Sequence, residues 1–121
     1  MSEDISRLPP QVQERLLRLQ QLQQTLQSVM AQKQQVDAEQ SEVEQTLTEL
    51  QKTAGDAVIY KSIGSLLVKS GKAKVTEDLA ERKELLITRS TVLTRQEERL
   101  RTQVKEVQTK LQEDLKPVSP T

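Results

Sequence analysis

The 121-residue sequence has no cysteine and no histidine, and Tyr60 is its only aromatic residue. Without cysteine the chain can form no disulfide and has no thiolate nucleophile, and without histidine it lacks the commonest acid–base group and metal ligand. The shortage of bulky side chains also makes a compact globular core difficult to fill, which favours an elongated helical fold. We therefore expect a protein that is not an enzyme, with no catalytic residues, no metal site and no cofactor.

An excess of charge of one sign is also missing, because 18 basic and 18 acidic residues cancel. The chain therefore has no overall field that would attract it to nucleic acid or to an anionic membrane. Purely apolar runs are short, as at Leu66-Leu67-Val68, and residues 1–10 are mixed acidic and polar, unlike a signal peptide. The sequence therefore predicts a soluble, cytoplasmic protein that binds neither nucleic acid nor membranes.

The most extensive positive feature of the sequence is a heptad pattern. Proline can occupy the first helical position without losing a hydrogen bond, so Pro10 predicts the start of a helix that runs to about residue 52. Apolar residues in this segment follow alternating steps of three and four, which is the pattern of a coiled-coil seam. The seam residues are Val12, Leu19, Leu22, Leu26, Val29, Val36, Val43, Leu47 and Leu50, interrupted by Arg15, Lys33 and Gln40.

A second helix of matching length is predicted from about residue 76 to about residue 115. Thr76 is a suitable N-cap, with Glu77 and Asp78 at the positive end of the helix dipole. Because only a short segment separates the helices, we expect a mainly α fold in which they form a long antiparallel two-helix coiled coil, within a single domain of residues 1–121. The seam residues of the second helix are Leu79, Leu86, Leu93, Leu100, Val104, Val107 and Leu111, interrupted by Lys83, Ser90 and Glu97.

The segment between the helices has a pattern typical of β-structure. Gly64-Ser65 can form a two-residue turn with glycine in the left-handed position, which predicts one β-hairpin over about residues 57–70, inserted at the bend. Apolar side chains then occupy both faces, and because such a hairpin is marginal alone, we predict that it mediates oligomerisation. One face carries Ile59, Ile63, Leu66 and Val68, and the other carries Val58, Tyr60 and Leu67.

Four lysines make this insert locally basic, namely Lys61, Lys69, Lys72 and Lys74. They are not interleaved with aromatic residues or arginines, so they offer no surface for base stacking or base reading. We interpret them as charges that protect the strand edges, not as a nucleic-acid patch.

Apolar residues are also concentrated near the two chain ends, at Leu8, Val12, Leu16, Leu17, Leu111, Leu115 and Val118. Leu16 and Leu17 lie off the strict heptad seam. The group is explained either by packing at the end of a coiled coil or by an adaptable hydrophobic surface for other polypeptides. Periodicity alone does not decide between these two explanations.

Three segments become recognisable when they are read together, Pro9-Pro10-Gln11-Val12-Gln13, Val58-Ile59-Tyr60-Lys61-Ser62-Ile63-Gly64-Ser65-Leu66-Leu67-Val68-Lys69 and Arg95-Gln96-Glu97. They resemble the β-type subunits of the prefoldin family, over essentially the whole chain. The Tyr-Lys-x-x-Gly string between two long helices is the specific part of the resemblance. An α-type subunit would carry a second hairpin at the bend, and residues 53–76 have room for only one.

The resemblance implies a hexamer of two α-type and four β-type subunits, in which the hairpins join into β-barrels from which the coiled coils extend. It also implies that the distal tips hold non-native polypeptides by hydrophobic contact and deliver them, without ATP, to a group II chaperonin. The client-binding residues predicted from their position at the tips are Leu8, Val12, Leu16, Leu111, Leu115 and Val118. A coiled-coil adaptor or tether of another complex is the alternative, although an uninterrupted seam without a β insert would be expected of it.

Overall fold

The computed structural model describes residues 7–116, which form two long helices separated by a two-stranded antiparallel sheet. In chain order, the elements are α1, Pro10–Gln51; β1, Ile59–Ile63; β2, Leu66–Ser70; and α2, Lys72–Asp114. The predicted fold class, two long helices with one β-hairpin between them, is confirmed.

Helix α1 begins at the proline that the sequence indicates. The carbonyl oxygen of Pro9 accepts hydrogen bonds from the backbone N–H groups of Val12, at 2.9 Å, and Gln13, at 3.1 Å. Pro9 therefore occupies the N-cap position and Pro10 the first helical position, where a missing N–H costs nothing.

Helix α2 begins at Lys72, so the predicted start near residue 76, with Thr76 as the N-cap, is wrong. The backbone N–H of Val75 donates to the carbonyl of Gly71 at 3.1 Å, which makes Gly71 the capping residue. The ammonium group of Lys72 donates to the carbonyl of Thr53 at 2.7 Å and ties the start of α2 to the segment after α1. The hydroxyl of Thr76 is buried and has no hydrogen-bond partner among the described residues.

The heptad seam is confirmed as the buried part of both helices. Every buried hydrophobic residue in the described chain is a predicted seam residue, and Leu86 is completely inaccessible. The remaining apolar seam residues are half-buried. The described residues divide into two compact units, which are described separately below.

The first unit contains residues 7–32 and 93–116. The guanidinium group of Arg15 pairs with the carboxylate of Asp114, and Nη2 of Arg101 lies 3.5 Å from Sδ of Met30. Residue numbers therefore rise along one helix as they fall along the other, which is the antiparallel arrangement that was predicted. The core consists of Val12, Leu22, Val107 and Leu111, with Leu8, Leu16, Leu19, Leu100 and Val104 packed against it.

The second unit contains residues 33–92, including the hairpin. Polar side chains on α2 bind carboxylates on α1: Ser90 donates to Asp37 at 2.8 Å, and Nζ of Lys83 lies 3.8 Å from Glu44. Ser90 and Lys83 are two of the residues that interrupt the predicted seam, and both therefore have carboxylate partners here. The buried residues of this unit are Val36, Val43, Leu50 and Leu86.

Candidate protein-interaction surfaces

The hairpin turns at Gly64-Ser65, between the facing residues Ile63 and Leu66. Gly64 has a φ of 59°, and no non-glycine residue in the described range has a positive φ. Positive φ at the first turn position alone defines a type II′ turn, whose twist matches that of the flanking strands. The prediction that glycine supplies the left-handed first position is confirmed.

The strand register places apolar side chains on both faces of the hairpin. Ile63 faces Leu66 and Lys61 faces Val68, so these residues share one face with Ile59, whereas Tyr60 and Leu67 point to the opposite face. Leu66 is 67% exposed and Leu67 is 71% exposed. The other exposed members of the predicted assembly set are Val58, Tyr60, Ile63 and Val68, and Ile59 is half-buried.

The two strands also have unpaired outer edges within the part of the chain that the structure describes. Outward N–H and C=O groups of an edge strand are a template for a strand from another chain. Additional strands would satisfy these groups, and packing against a second sheet would bury the apolar faces. The hairpin is therefore a candidate assembly surface.

Three of the four insert lysines contact groups outside the hairpin, which the sequence analysis missed. Nζ of Lys61 lies 3.8 Å from Asp78, Nζ of Lys74 lies 3.2 Å from the same carboxylate, and Lys72 donates to a backbone carbonyl just after α1. The hydrogen bond to Asp78 raises the pKa of the Lys74 ammonium group. The spacing of Lys74 and Asp78, four residues apart on a helix, could have indicated that pair. That the lysines protect the strand edges remains a prediction. It applies most directly to Lys69, which lies on β2.

The structure corrects part of the predicted client-binding set. Val12 and Leu111 are only 4% and 6% exposed, because their seam positions direct them toward the opposite helix. They stabilise the helix pair and cannot contribute to an accessible surface unless the helices separate. Leu8 and Leu16 are half-buried against the same core, so part of each side chain remains accessible.

The accessible leucines of this region lie off the seam. Leu115 is 58% exposed and Leu17 is 56% exposed. Leu17 is not in the predicted client-binding set, although its position beside the seam is the signal that could have added it. Val118 belongs to the predicted set but lies outside the described residues.

These surfaces suit contact with other polypeptides through apolar side chains. No group of three or more acidic residues in residues 7–116 is arranged to hold a metal ion. None of the described helices is both long and apolar enough to cross a membrane. Exposed leucines beside half-buried ones provide apolar area without a deep cavity, which favours weak contact with flexible partners.

Comparisons with known proteins give one consistent family. The family model described as "Prefoldin subunit" matches residues 13–117. The prefoldin subunit beta of Methanosarcina acetivorans is 43% identical over 112 residues, covering 93% of this chain and 96% of that protein. The corresponding subunit of Archaeoglobus fulgidus is 47% identical over 110 residues, covering 91% and 95%. The crystal structure of the prefoldin beta subunit from Thermococcus strain KS-1 is 41% identical, has a TM-score of 0.83, and is matched over 92% of this chain and 97% of that chain.

Proposed function

Since this chain belongs to the prefoldin family of chaperone subunits, we propose that it is a β-type subunit that captures non-native polypeptides without ATP and passes them to a group II chaperonin. The observation that carries the proposal is the hairpin, which within residues 7–116 has exposed apolar side chains on both faces and two unpaired edges. A protein that functions alone would leave this surface in contact with water. A subunit that assembles through its strands would bury it.

In this proposal the chain acts as a single prefoldin-type domain in a cytoplasmic hexamer of two α-type and four β-type subunits. Complete burial of an exposed aliphatic side chain contributes about 1.5–3 kcal/mol. Each hairpin has several such side chains, including Ile63, Leu66 and Leu67. Their combined burial is large enough to offset the entropy lost when subunits associate.

Client capture is assigned to the accessible leucines of the first unit, Leu8, Leu16, Leu17 and Leu115, with Val118 as a further predicted member. An exposed leucine can contribute about 2 kcal/mol when a partner buries it, so one subunit would bind a client weakly. Several subunits in one complex increase retention through effective concentration, while each contact remains reversible. Release of the client then requires no ATP.

Substitution of the two exposed leucines tests this assignment. We expect complexes containing Leu17→Ser with Leu115→Ser to lose most of their ability to suppress aggregation of a chemically unfolded client, because the apolar contacts are gone while the core is intact. The matched control is Leu85→Ser with Val92→Ser, since these α2 residues are also exposed, at 51% and 46%. Light scattering at equal complex concentration measures protection.

The control should protect as well as the unmodified complex, and size-exclusion mass should show equal assembly of all three. Full protection by the Leu17 and Leu115 variant would contradict the assignment. Equal loss in the control would place the client surface along the helices and not near the chain ends.

A further inference from the structure

The hairpin is connected to α2 by one ion pair as well as by the chain itself. Lys61 lies at the middle of β1, and its Nζ is 3.8 Å from Oδ2 of Asp78 on α2. The other carboxylate oxygen, Oδ1, lies 3.2 Å from Nζ of Lys74, one helical turn earlier. The two lysines therefore use different oxygens, and Lys74 does not displace Lys61.

Apolar packing does little to fix the hairpin against the helices. On the face that carries Lys61, called the Lys61 face, Ile59 is half-buried, but Ile63 is 53% exposed and Leu66 is 67% exposed. Within residues 7–116, the Lys61–Asp78 contact is the only ion pair between a strand and a helix. This ion pair therefore contributes more to the orientation of the hairpin than a similar pair would contribute in a packed interface.

The connections between the hairpin and the helices contain glycines, although the hydrogen bonds from Ala57 to Ala54 and from Lys72 to Thr53 constrain them in part. Gly71 alone separates β2 from α2, and the space where its Cβ would be is open. Residues 52–58 connect α1 to β1 and include Gly55. Glycine has more accessible backbone conformations than other residues, so these connections do not by themselves define one orientation.

We propose that Asp78 is a positioning residue for assembly, which holds Lys61 and thereby fixes the direction in which the hairpin leaves the helices. With the Lys61 face directed toward α2, the opposite face, which carries Tyr60 and Leu67, is presented to partner strands. The inference rests on the proposed assembly through the hairpin. An element that already has its bound orientation loses less conformational entropy on association.

The expected size of the effect follows from the exposure of the pair. Exposed ion pairs shift an equilibrium by about 1.5- to 5-fold, so Asp78 biases the orientation and does not lock it. Every copy of the chain in a complex has its own Lys61–Asp78 pair. The shifts per pair therefore multiply in the overall equilibrium constant for assembly. The contact should also weaken when salt screens it, since the Debye length falls to about 3 Å at 1 M salt.

The absence of cysteine allows the orientation to be measured in the full-length chain. Spin labels at Ser65→Cys, in the turn, and Arg89→Cys, on α2, report the distance between hairpin and helix. We expect a narrower distance distribution in the otherwise unmodified chain than in Asp78→Asn or in Lys61→Gln, because the ion pair increases the share of one orientation. The double variant should be no broader than either single one, because both remove the same contact. Lys74→Gln is the matched control and should leave the distribution unchanged.

Assembly with an α-type prefoldin subunit is then measured by size-exclusion mass across a dilution series. Asp78→Asn should raise the concentration for half-assembly by about 1.5- to 5-fold in total, whereas Lys74→Gln should not. Unchanged distances, or broader distances with unchanged assembly, would overturn the inference while leaving the proposed function intact. If the unmodified chain forms no complex with the α-type subunit, the proposed function fails, and the positioning role fails with it.

Discussion

The helix seam and the hairpin contain the same kinds of aliphatic residue, yet one region buries them and the other exposes them. Leu86 is 0% exposed in the seam, whereas Leu67 is 71% exposed in the hairpin. The difference is the presence of a second layer, because each helix faces a second helix, whereas the hairpin faces no second sheet among residues 7–116. Apolar residues therefore stabilise the subunit in the first region and are available for other chains in the second.

Placing charge on the hairpin should have the largest effect of the substitutions that test this difference. Tyr60→Asp with Leu67→Asp should abolish assembly with the α-type subunit, because an uncompensated charge buried in an interface costs about 3–5 kcal/mol. Helical content of the isolated chain should be unchanged, since both side chains are exposed there. Size-exclusion mass and circular dichroism measure the two properties.

The control for that substitution is Leu85→Asp with Val92→Asp, which adds the same charge to exposed positions on α2. Assembly of the control should equal that of the unmodified chain. A complex of normal mass from the Tyr60 and Leu67 variant would show that assembly does not depend on the hairpin.

Two leucine-to-alanine substitutions compare the contributions of the seam and of the hairpin to the stability of the isolated chain. Leu86→Ala should lower the free energy of unfolding by about 2–5 kcal/mol, because it removes buried methyl groups and leaves a cavity. Leu67→Ala should change that free energy by less than about 0.5 kcal/mol, because the side chain is already hydrated. Urea denaturation followed by circular dichroism measures both values. Similar losses in the two variants would mean that the hairpin contributes to the core of the subunit.

A last substitution concerns the backbone of the turn and should affect the hairpin alone. Gly64→Ala should destabilise the hairpin by about 1–2 kcal/mol, because alanine is disfavoured at a φ of 59°. Apart from Gly64 and its two chain neighbours, no atom of the described residues lies within 4 Å of the added Cβ, so the cost comes from the backbone conformation and not from a clash. Gly55→Ala is the control, since its Cβ position is equally open and its φ is not positive. Amide hydrogen exchange of β1 and β2 should accelerate only in the first variant.

Much of this structure follows from local rules that are readable in the sequence. Steps of three and four identify one side of a helix, and the buried residues, such as Val36, Val43 and Leu93, all follow those steps. The hairpin register follows from Gly64-Ser65, because a two-residue turn fixes which residues face each other and alternation then fixes the faces. The same seam also predicts that Val12 and Leu111 are buried, so their assignment to the client surface conflicted with their own heptad position.

Two features could not be obtained from local rules. Thr76 followed by acidic residues is a normal capping pattern, but Gly71 caps α2, and Lys72 in its first turn donates to the carbonyl of Thr53, which precedes the hairpin. The Lys61–Asp78 pair likewise joins residues on different elements. Their contact depends on the direction in which the hairpin leaves the helices, which no periodic pattern in the sequence indicates.

By itself, the sequence determined the two helices, the side of each that is buried and the register of the hairpin, because these depend on backbone periods of 3.6 and 2 residues and on one glycine in a turn. Only the tertiary structure decided how much of each apolar residue off the seam remains accessible, as for Leu17 and Leu115, and which charges meet across elements, such as Arg15 with Asp114. The physical reason is that a side chain is buried, or an ion pair is formed, only when residues distant in the chain are brought to the same place.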